Sequence, residues 1–229
     1  MNSLKKTARI TGLLYLIIIV GGIFSEAFVR SGLIVSGDPS ATANNIMNSE
    51  FLFRLGFASE LVVFLSDVVV AIFFYVLLRP VSKTLSLVAA SFRLAMAAIS
   101  GINLLNHFAP LLILSGADYF TVFEENQLNA LVMLFLKMHA YGYHISLTFF
   151  GLHCLVLGYL LFKSDYFPKI LGVLIIIASL CYLINSLSST LVPDFAKGLF
   201  PFILLPAFVA ELSLCLWLII KGVREHVSH

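Results

Sequence analysis

The stretch that most constrains the fold is residues 127–163, which reads QLNALVMLFLKMHAYGYHISLTFFGLHCLVLGYLLFK. A near-continuous apolar segment of this length predicts a helix that crosses a lipid bilayer. The segment nevertheless carries Lys137 and three histidines, His139, His144 and His153. Because ionisable side chains are costly inside a membrane, they normally face a protein interior or a water-filled cavity. The stretch therefore predicts a membrane helix that is covered by other helices.

The composition of the whole chain fits the same class. Of the 229 residues, 60% are hydrophobic and 11% are charged, with a mean hydropathy of +1.03. Soluble proteins carry about 25% charged residues. The chain has no basic stripe, which excludes nucleic acid as a partner. The three cysteines, Cys154, Cys181 and Cys215, lie in apolar runs without metal-ligand spacing, so we interpret them as small packed hydrophobes.

Apolar segments separated by polar turns predict one all-α domain over residues 1–229, a polytopic six-transmembrane-helix bundle. The predicted helices cover residues 8–30, 51–78, 83–114, 127–163, 170–191 and 200–220. Small residues around Ala27 leave a cleaved signal peptide open for the first segment. Residues 31–50 are interpreted as a solvated loop, in which Asp38 and Pro39 form a turn and Ser40 or Thr42 caps a short helix.

The basic residues predict the orientation of the bundle. Only Arg30 and Lys197 lie in the loops of one side, and three more cations lie inside helices. The other side carries nine of the fourteen Lys and Arg: Lys5, Lys6, Arg9, Arg79, Lys83, Lys163, Lys169, Lys221 and Arg224. The positive-inside rule therefore places both termini in the cytoplasm. We expect a multi-pass protein of the cell membrane.

An ordered series of motifs resembles one known family. The motifs are ARITGLLYLIIIVGGIFSEAFVR, GDPSATANNI, FLFRLGF, YVLLRPV and SFRLAMAAI. They are similar to a bacterial six-helix integral membrane family known only as domain of unknown function 4386, and the resemblance covers nearly the whole chain. It implies an integral membrane protein and supplies no activity, cofactor or catalytic residue.

Polar groups inside the predicted helices fall in two tiers when depth is counted at about 1.5 Å per residue from the cytoplasmic cations. Asp67, Arg93, His153 and Glu211 lie about 15–18 Å deep, near the middle of a core about 30 Å thick. A short turn joins the helices of Asp67 and Arg93, so we expect these two side chains to pair. Glu211 is then a second acceptor for Arg93 or a protonated acid.

The outer tier lies about 25–30 Å from the cytoplasmic cations, with His107 and His139 slightly beyond it. Carboxylates, amides and histidines from four helices at one level predict a ligand or ion site in the outer half of the bundle. The candidate binding residues are Glu26, Glu60, Asn103, His107 and His144.

Three functions remain open at this point. The first is a small-molecule or ion transporter, or a ligand-binding membrane protein, with carboxylates and histidines that carry charge. The second is an intramembrane metal-dependent hydrolase that binds zinc through His107, His139, His144 and a carboxylate. Against it, His139 and His144 are five residues apart, about 140° around a helix. The third is a b-type haem protein that uses His139 and His153, fourteen residues apart on one face, to hold stacked haems. This arrangement needs two facing histidines on another helix, and the third predicted helix offers only His107, so one haem is conceivable and two are not.

The sequence lacks the nucleophile elbow, P-loop, GxGxxG and HExxH motifs, so it does not support the chemistry of soluble enzymes. The expected partners are the lipid bilayer and an unidentified small molecule or ion, and a homo-oligomer stays open. Whether a metal or haem binds is not decided by the sequence.

Overall fold

The computed structural model describes residues 3–223, and this part of the chain is helical, without β-strands. Six of its helices are long and apolar enough to cross a membrane, which confirms the predicted all-α six-helix bundle. A π-helical segment, Phe24–Arg30, joins α1 to α2, so that the first span is one continuous helix. In chain order the helices are α1 (Ser3–Ile23), α2 (Ser31–Leu33), α3 (Pro39–Asn48), α4 (Glu50–Leu78), α5 (Lys83–Ile113), α6 (Glu125–Lys163), α7 (Lys169–Leu191), α8 (Pro193–Leu199) and α9 (Leu205–Ile220).

Several helix ends differ from those predicted, most of them by one or two residues. The first span is longer at both ends, because it begins at Leu4 and continues to Leu33 through the π-helical segment. The fourth span begins at Glu125, because Glu124 and Gln127 form a reciprocal capping box at its first turn. The last span begins with a short 3₁₀ turn at Phe202, which leads directly into α9. The π-helical segment matters for the site below, because it carries Arg30.

The connections between the six spans alternate between the two ends of the bundle. We call one end the α3 end; it carries α3, residues 114–124 and α8. We call the other the basic end; it carries the turns at residues 79–82 and 164–168. The side of the membrane on which the termini lie remains a prediction, and Arg224 of the predicted basic tail lies outside the described residues.

The helix α6 is the centre of the described bundle. Its packing against α5 and against α7 is the most extensive between any two described helices. The most apolar window of α6 is 56% buried, compared with 22% for the first span. Apolar side chains of α6 such as Leu157, Leu160 and Leu161 are fully buried in the main core, together with Leu214 of α9. Every other span is therefore arranged directly or indirectly around α6.

The backbones of α6 and α7 come into direct contact where Gly158 faces Gly172. A Cβ atom on Gly172 would lie 2.5 Å from the backbone nitrogen of Phe162 and 2.7 Å from the carbonyl oxygen of Gly158. Backbone atoms cannot move aside for it, so only glycine fits here. Small residues at such contacts let membrane helices pack closely, because lipid tails provide little hydrophobic drive for association. This contact fixes the position of α6 relative to α7.

The short helix predicted within residues 31–50 is present as α3, but the prediction that this stretch is solvated was wrong for α3. This helix packs on α6 and buries Ile46 completely. The predicted caps were also wrong, because the side chain of Asp38 accepts the hydrogen bond from the Ala41 amide and Pro39 occupies the first turn. Thr42 instead bonds to backbone groups, including those of Val35. An amphipathic helix therefore covers part of the α3 end.

Candidate metal centre

Three buried side chains from three helices meet near the α3 end of the bundle. They are Glu60 of α4, His107 of α5 and His139 of α6, and one ligand atom from each lies within 4.8 Å of the others. The Oε2 atom of Glu60 is 3.2 Å from Nε2 of His139 and 3.7 Å from Nδ1 of His107. Around a tetrahedral zinc ion with bonds of about 2.0–2.1 Å, neighbouring ligand atoms are about 3.3–3.4 Å apart. The separation of Glu60 from His139 is close to this spacing, and the separation of Glu60 from His107 is somewhat longer.

The Oε2 atom of Glu60 is buried and accepts no well-aligned hydrogen bond within the described part of the chain. Its 3.2 Å separation from Nε2 of His139 is an ion-pair contact when that nitrogen carries a proton and the spacing of two ligand atoms when it does not. A buried carboxylate oxygen without a donor is costly. A metal ion between Glu60 and the two histidines would remove this cost, and the donor set suits zinc.

The tautomer of His107 also suits a metal ligand. Its Nε2 lies 3.4 Å from the carbonyl oxygen of Phe53, which can only accept a hydrogen bond. Nε2 therefore carries the proton, and the lone pair of Nδ1 is directed to the side of Glu60. The ring also packs against Phe53, with 4.4 Å between ring centroids. Second hydrogen bonds of this kind orient metal-binding histidines and fix their tautomer.

The position of His139 is fixed through its backbone. The side-chain amide of Asn103 on α5 donates a hydrogen bond of 2.8 Å to the carbonyl oxygen of His139. This contact requires Gly142 one turn further along α6, because a Cβ atom there would lie 2.2 Å from Oδ1 of Asn103. Asn103 was a predicted binding residue, and the structure places it behind the cluster, where it holds α6 against α5.

We expect Gly142→Ala to weaken metal binding about 10- to 100-fold, the usual effect of losing an outer-shell partner of a metal ligand. The added methyl group must displace the Asn103 amide from His139. The matched control is Gly101→Ala on α5, because no described atom lies within 4 Å of a Cβ atom there. Zinc titration of the two purified variants checks the prediction, and equal affinities would contradict it.

The π-helical segment brings Arg30 to the other oxygen of Glu60. Nη1 of Arg30 lies 3.0 Å from Oε1 of Glu60, and Nη2 lies 2.7 Å from Glu26 one turn earlier. The guanidinium group also lies over the ring of Tyr143, 5.2 Å from its centroid. Short π-helical segments occur frequently at functional sites. Glu60 thus presents one oxygen to Arg30 and the other to the two histidines.

A cavity of about 990 Å³ lies beside this cluster. It begins near α8 at the α3 end, passes Glu26, Arg30 and Glu60, and extends to Asp67 and Glu211. Most of its lining side chains are aliphatic or aromatic. The cavity therefore connects the outer-tier and midplane groups and could hold an amphipathic molecule.

The helix α8 at the α3 end also carries an exposed ion pair. The hydrogen bond from Lys197 lowers the pKa of the exposed Asp194.

The structure places the other predicted residues of the outer tier around the cavity. Glu26 reaches the cluster only through Arg30. His144 lines the cavity and is separate from the three convergent ligands, because it lies on a different side of α6 from His139. Arg30 was expected among the loop cations, and Tyr143 was not singled out by the sequence. Only the spacing of Glu26 and Arg30, four residues apart, could have indicated their ion pair.

The midplane groups form a separate network. Nε of Arg93 donates to Oδ1 of Asp67 at 2.8 Å, and Nη1 lies 3.1 Å from Nε2 of His153. The guanidinium group of Arg93 also lies between the rings of Tyr15 and Phe150, 5.0 and 5.2 Å from their centroids. Arg93 is therefore enclosed by acceptors and aromatic faces and has no exposed surface.

Glu211 does not take the place predicted for it as a second acceptor of Arg93. Its Oε1 atom instead accepts a hydrogen bond from the hydroxyl group of Tyr182 on α7. Tyr182 was not singled out by the sequence, because its role depends on how α7 faces α9.

The arrangement of His153 does not suit the predicted haem pair. Its Nε2 accepts from Arg93, and its Nδ1 donates to the carbonyl oxygen of Ala89 at 2.8 Å. Both ring nitrogens are thus engaged in hydrogen bonds. The other haem ligand of this hypothesis, His139, lies edge-on to His107, the facing histidine, with 5.3 Å between ring centroids. The two histidines on one face of α6 therefore belong to two different polar clusters.

Comparison with known proteins places the chain in a family. The sequence matches the family described as Domain of unknown function (DUF4386) over residues 10–222. The chain belongs to the DUF4386 family. A DUF4386 relative from Archaeoglobus fulgidus, an uncharacterized protein, is 35% identical over 156 residues, which are 68% of this chain and 76% of the relative. No solved structure matches the chain significantly.

Proposed function

We propose that this protein is a membrane-embedded, metal-dependent hydrolase that binds zinc through Glu60, His107 and His139. The observation that carries the proposal is the convergence of these three buried ligand atoms within 4.8 Å. Two histidines and one glutamate form a common ligand set of catalytic zinc, in which the fourth position holds water. Zinc in such a site supplies an activated water molecule.

The residues around the site support hydrolysis of a substrate within the bundle. Glu60 lines the cavity, so a molecule in the cavity can approach the proposed site from the side of Glu60 and Arg30. Arg30 provides a cation that can bind an anionic or polarised group of a substrate. The walls of the cavity supply apolar surface for the rest of the molecule. We therefore expect an amphipathic ester or amide as the substrate class.

We expect the purified protein to contain a stoichiometric amount of zinc, measured by elemental mass spectrometry. It should hydrolyse a chromogenic nitrophenyl ester of medium chain length in detergent micelles. Removal of zinc with a chelator should abolish the hydrolysis, and added zinc should restore it. Protein that contains no transition metal, even after incubation with zinc, would contradict the proposal.

A second candidate function is transport of a small molecule or ion. It is favoured by the extent of the cavity, which runs from α8 past Glu60 to Glu211 and so covers much of the depth of the bundle. Uptake of zinc or of a cationic dye into proteoliposomes, without hydrolysis of any ester or amide tested, would support this function over the first.

A further inference from the structure

The far end of the cavity from α8 contains a second group of polar residues. Asp67, Tyr182 and Glu211 all line the cavity there. Glu60 and Asp67 are seven residues apart on α4, which separates the two polar regions by about 10.5 Å along the helix. The hydroxyl group of Tyr182 donates to Oε1 of Glu211, and only 8% of Glu211 is exposed. This group of residues is thus distinct from the proposed zinc site.

The charges of this region do not balance. Asp67 and Arg93 form an ion pair and cancel each other. His153 contributes no charge, because its Nε2 accepts a hydrogen bond from Arg93 and its Nδ1 carries the single ring proton. Among the residues that the structure describes, Glu211 is hydrogen-bonded to the neutral hydroxyl group of Tyr182 and has no ion-pair partner. One carboxylate therefore remains without a compensating charge inside the membrane, where an isolated charge is costly.

The groups that face Glu211 from the surrounding helices offer no second cation. The groups that face Glu211 are Tyr15 on α1, Asp67 on α4, Arg93 on α5, Tyr143 and Cys154 on α6, Tyr182 on α7 and Cys215 on α9. Because phenols and thiols are neutral near pH 7, Arg93 is the cation among these groups and Asp67 is the anion besides Glu211.

From this imbalance and from the position of Glu211 on the cavity wall, we propose that Glu211 is a proton-binding site that exchanges its proton with the cavity. The bound proton supplies the positive charge that the region lacks. The hydroxyl group of Tyr182 holds the carboxyl group in one orientation. The cavity gives water, or a polar group of a ligand, access to the acid. This site does not depend on the proposed zinc site, because the two lie in separate polar regions.

Infrared spectroscopy of the protein in lipid membranes tests the proposal directly. A protonated carboxyl group has a C=O stretching band that a carboxylate lacks. We expect this band at neutral pH in the wild-type protein, and we expect its loss in Glu211→Gln. The matched control is Glu26→Gln, which should keep the band because the Glu26 carboxylate lines the same cavity but is ion-paired with Arg30. Transfer to heavy water should shift the band within minutes, since the cavity reaches Glu211.

A second variant covers the case in which Glu211→Gln does not fold. Tyr182→Phe keeps the acid and removes its hydrogen-bond donor, so the band should remain and move to higher frequency. Absence of the band in the wild-type protein, or its persistence in folded Glu211→Gln, would overturn the proposal. Loss of the band when sodium replaces choline at constant pH would also overturn it, by showing an alkali cation as the occupant. Zinc content should be equal in wild type and Glu211→Gln, so failure of either proposal is recognised separately.

Discussion

Replacing His139 by alanine is expected to reduce the zinc content of the purified protein to background. The substitution removes one of three convergent ligand atoms and leaves Glu60 and His107 to bind the ion. Loss of an outer-shell partner already costs about 10- to 100-fold in affinity, so loss of a direct ligand should exceed 100-fold. Glu60→Gln and His107→Ala should have the same effect. Elemental mass spectrometry after dialysis against a fixed zinc concentration measures it.

His144→Ala is the matched control for this experiment. His144 is on the same helix and lines the same cavity, yet it is not one of the three convergent ligands. Its replacement should leave the zinc content unchanged. A loss of zinc in His144→Ala equal to that in His139→Ala would contradict the assignment of ligands and favour the larger histidine set that the sequence suggested.

The second large effect is expected at the pair of Asp67 and Arg93. Asp67→Asn and Arg93→Met should each lower the free energy of unfolding by about 3–5 kcal/mol, because each leaves an unpaired charge in the interior. Both side chains are almost completely buried, so the remaining charge is poorly solvated. The double variant should be clearly more stable than the sum of the two losses predicts. Unfolding by a denaturing detergent in mixed micelles gives the four values of the cycle.

An exposed ion pair provides the comparison. Arg54 and Glu50 lie one turn apart on α4, 2.7 Å from each other, with about half of each side chain exposed. Pairs of this kind contribute about 0.2–1 kcal/mol, so Arg54→Met should change stability by no more than that. Equal effects of Arg54→Met and Arg93→Met would show that burial of the inner pair has little energetic consequence.

Depth along the helices could be predicted from the sequence, but rotation about their axes could not. Apolar length gave the six spans, and the short turn after α4 required α4 and α5 to be neighbours, which brings Asp67 beside Arg93. Counting residues also put Glu60, His107 and His139 near one level. The choice between His139 and His144 depends on which side of α6 faces α4, and packing decides this.

Contacts between distant segments were also beyond the sequence. Arg30 reaches Glu60 because the last two turns of the predicted first helix are π-helical, a departure from α-helical geometry that the sequence did not indicate. The hydrogen bond from Asn103 to His139 depends on Gly142, whose role is visible only when α5 lies against α6. The apolar residues of α3 lie among polar ones, and their pattern did not indicate that they pack on α6. Each of these features results from the arrangement of helices and not from local preference.

The helix α6 carries His139 and His153 on one face, fourteen residues or about 21 Å apart. His139 lies in the Glu60 cluster, and His153 is bonded to Arg93. Because α6 is one continuous helix, rotating it to withdraw His139 from Glu60 also withdraws His153 from Arg93. Any gating motion that rotates α6 must therefore break both clusters at once. A change in the shape of the cavity is consequently expected from movement of walls such as α1, α8 and α9, and not from rotation of α6.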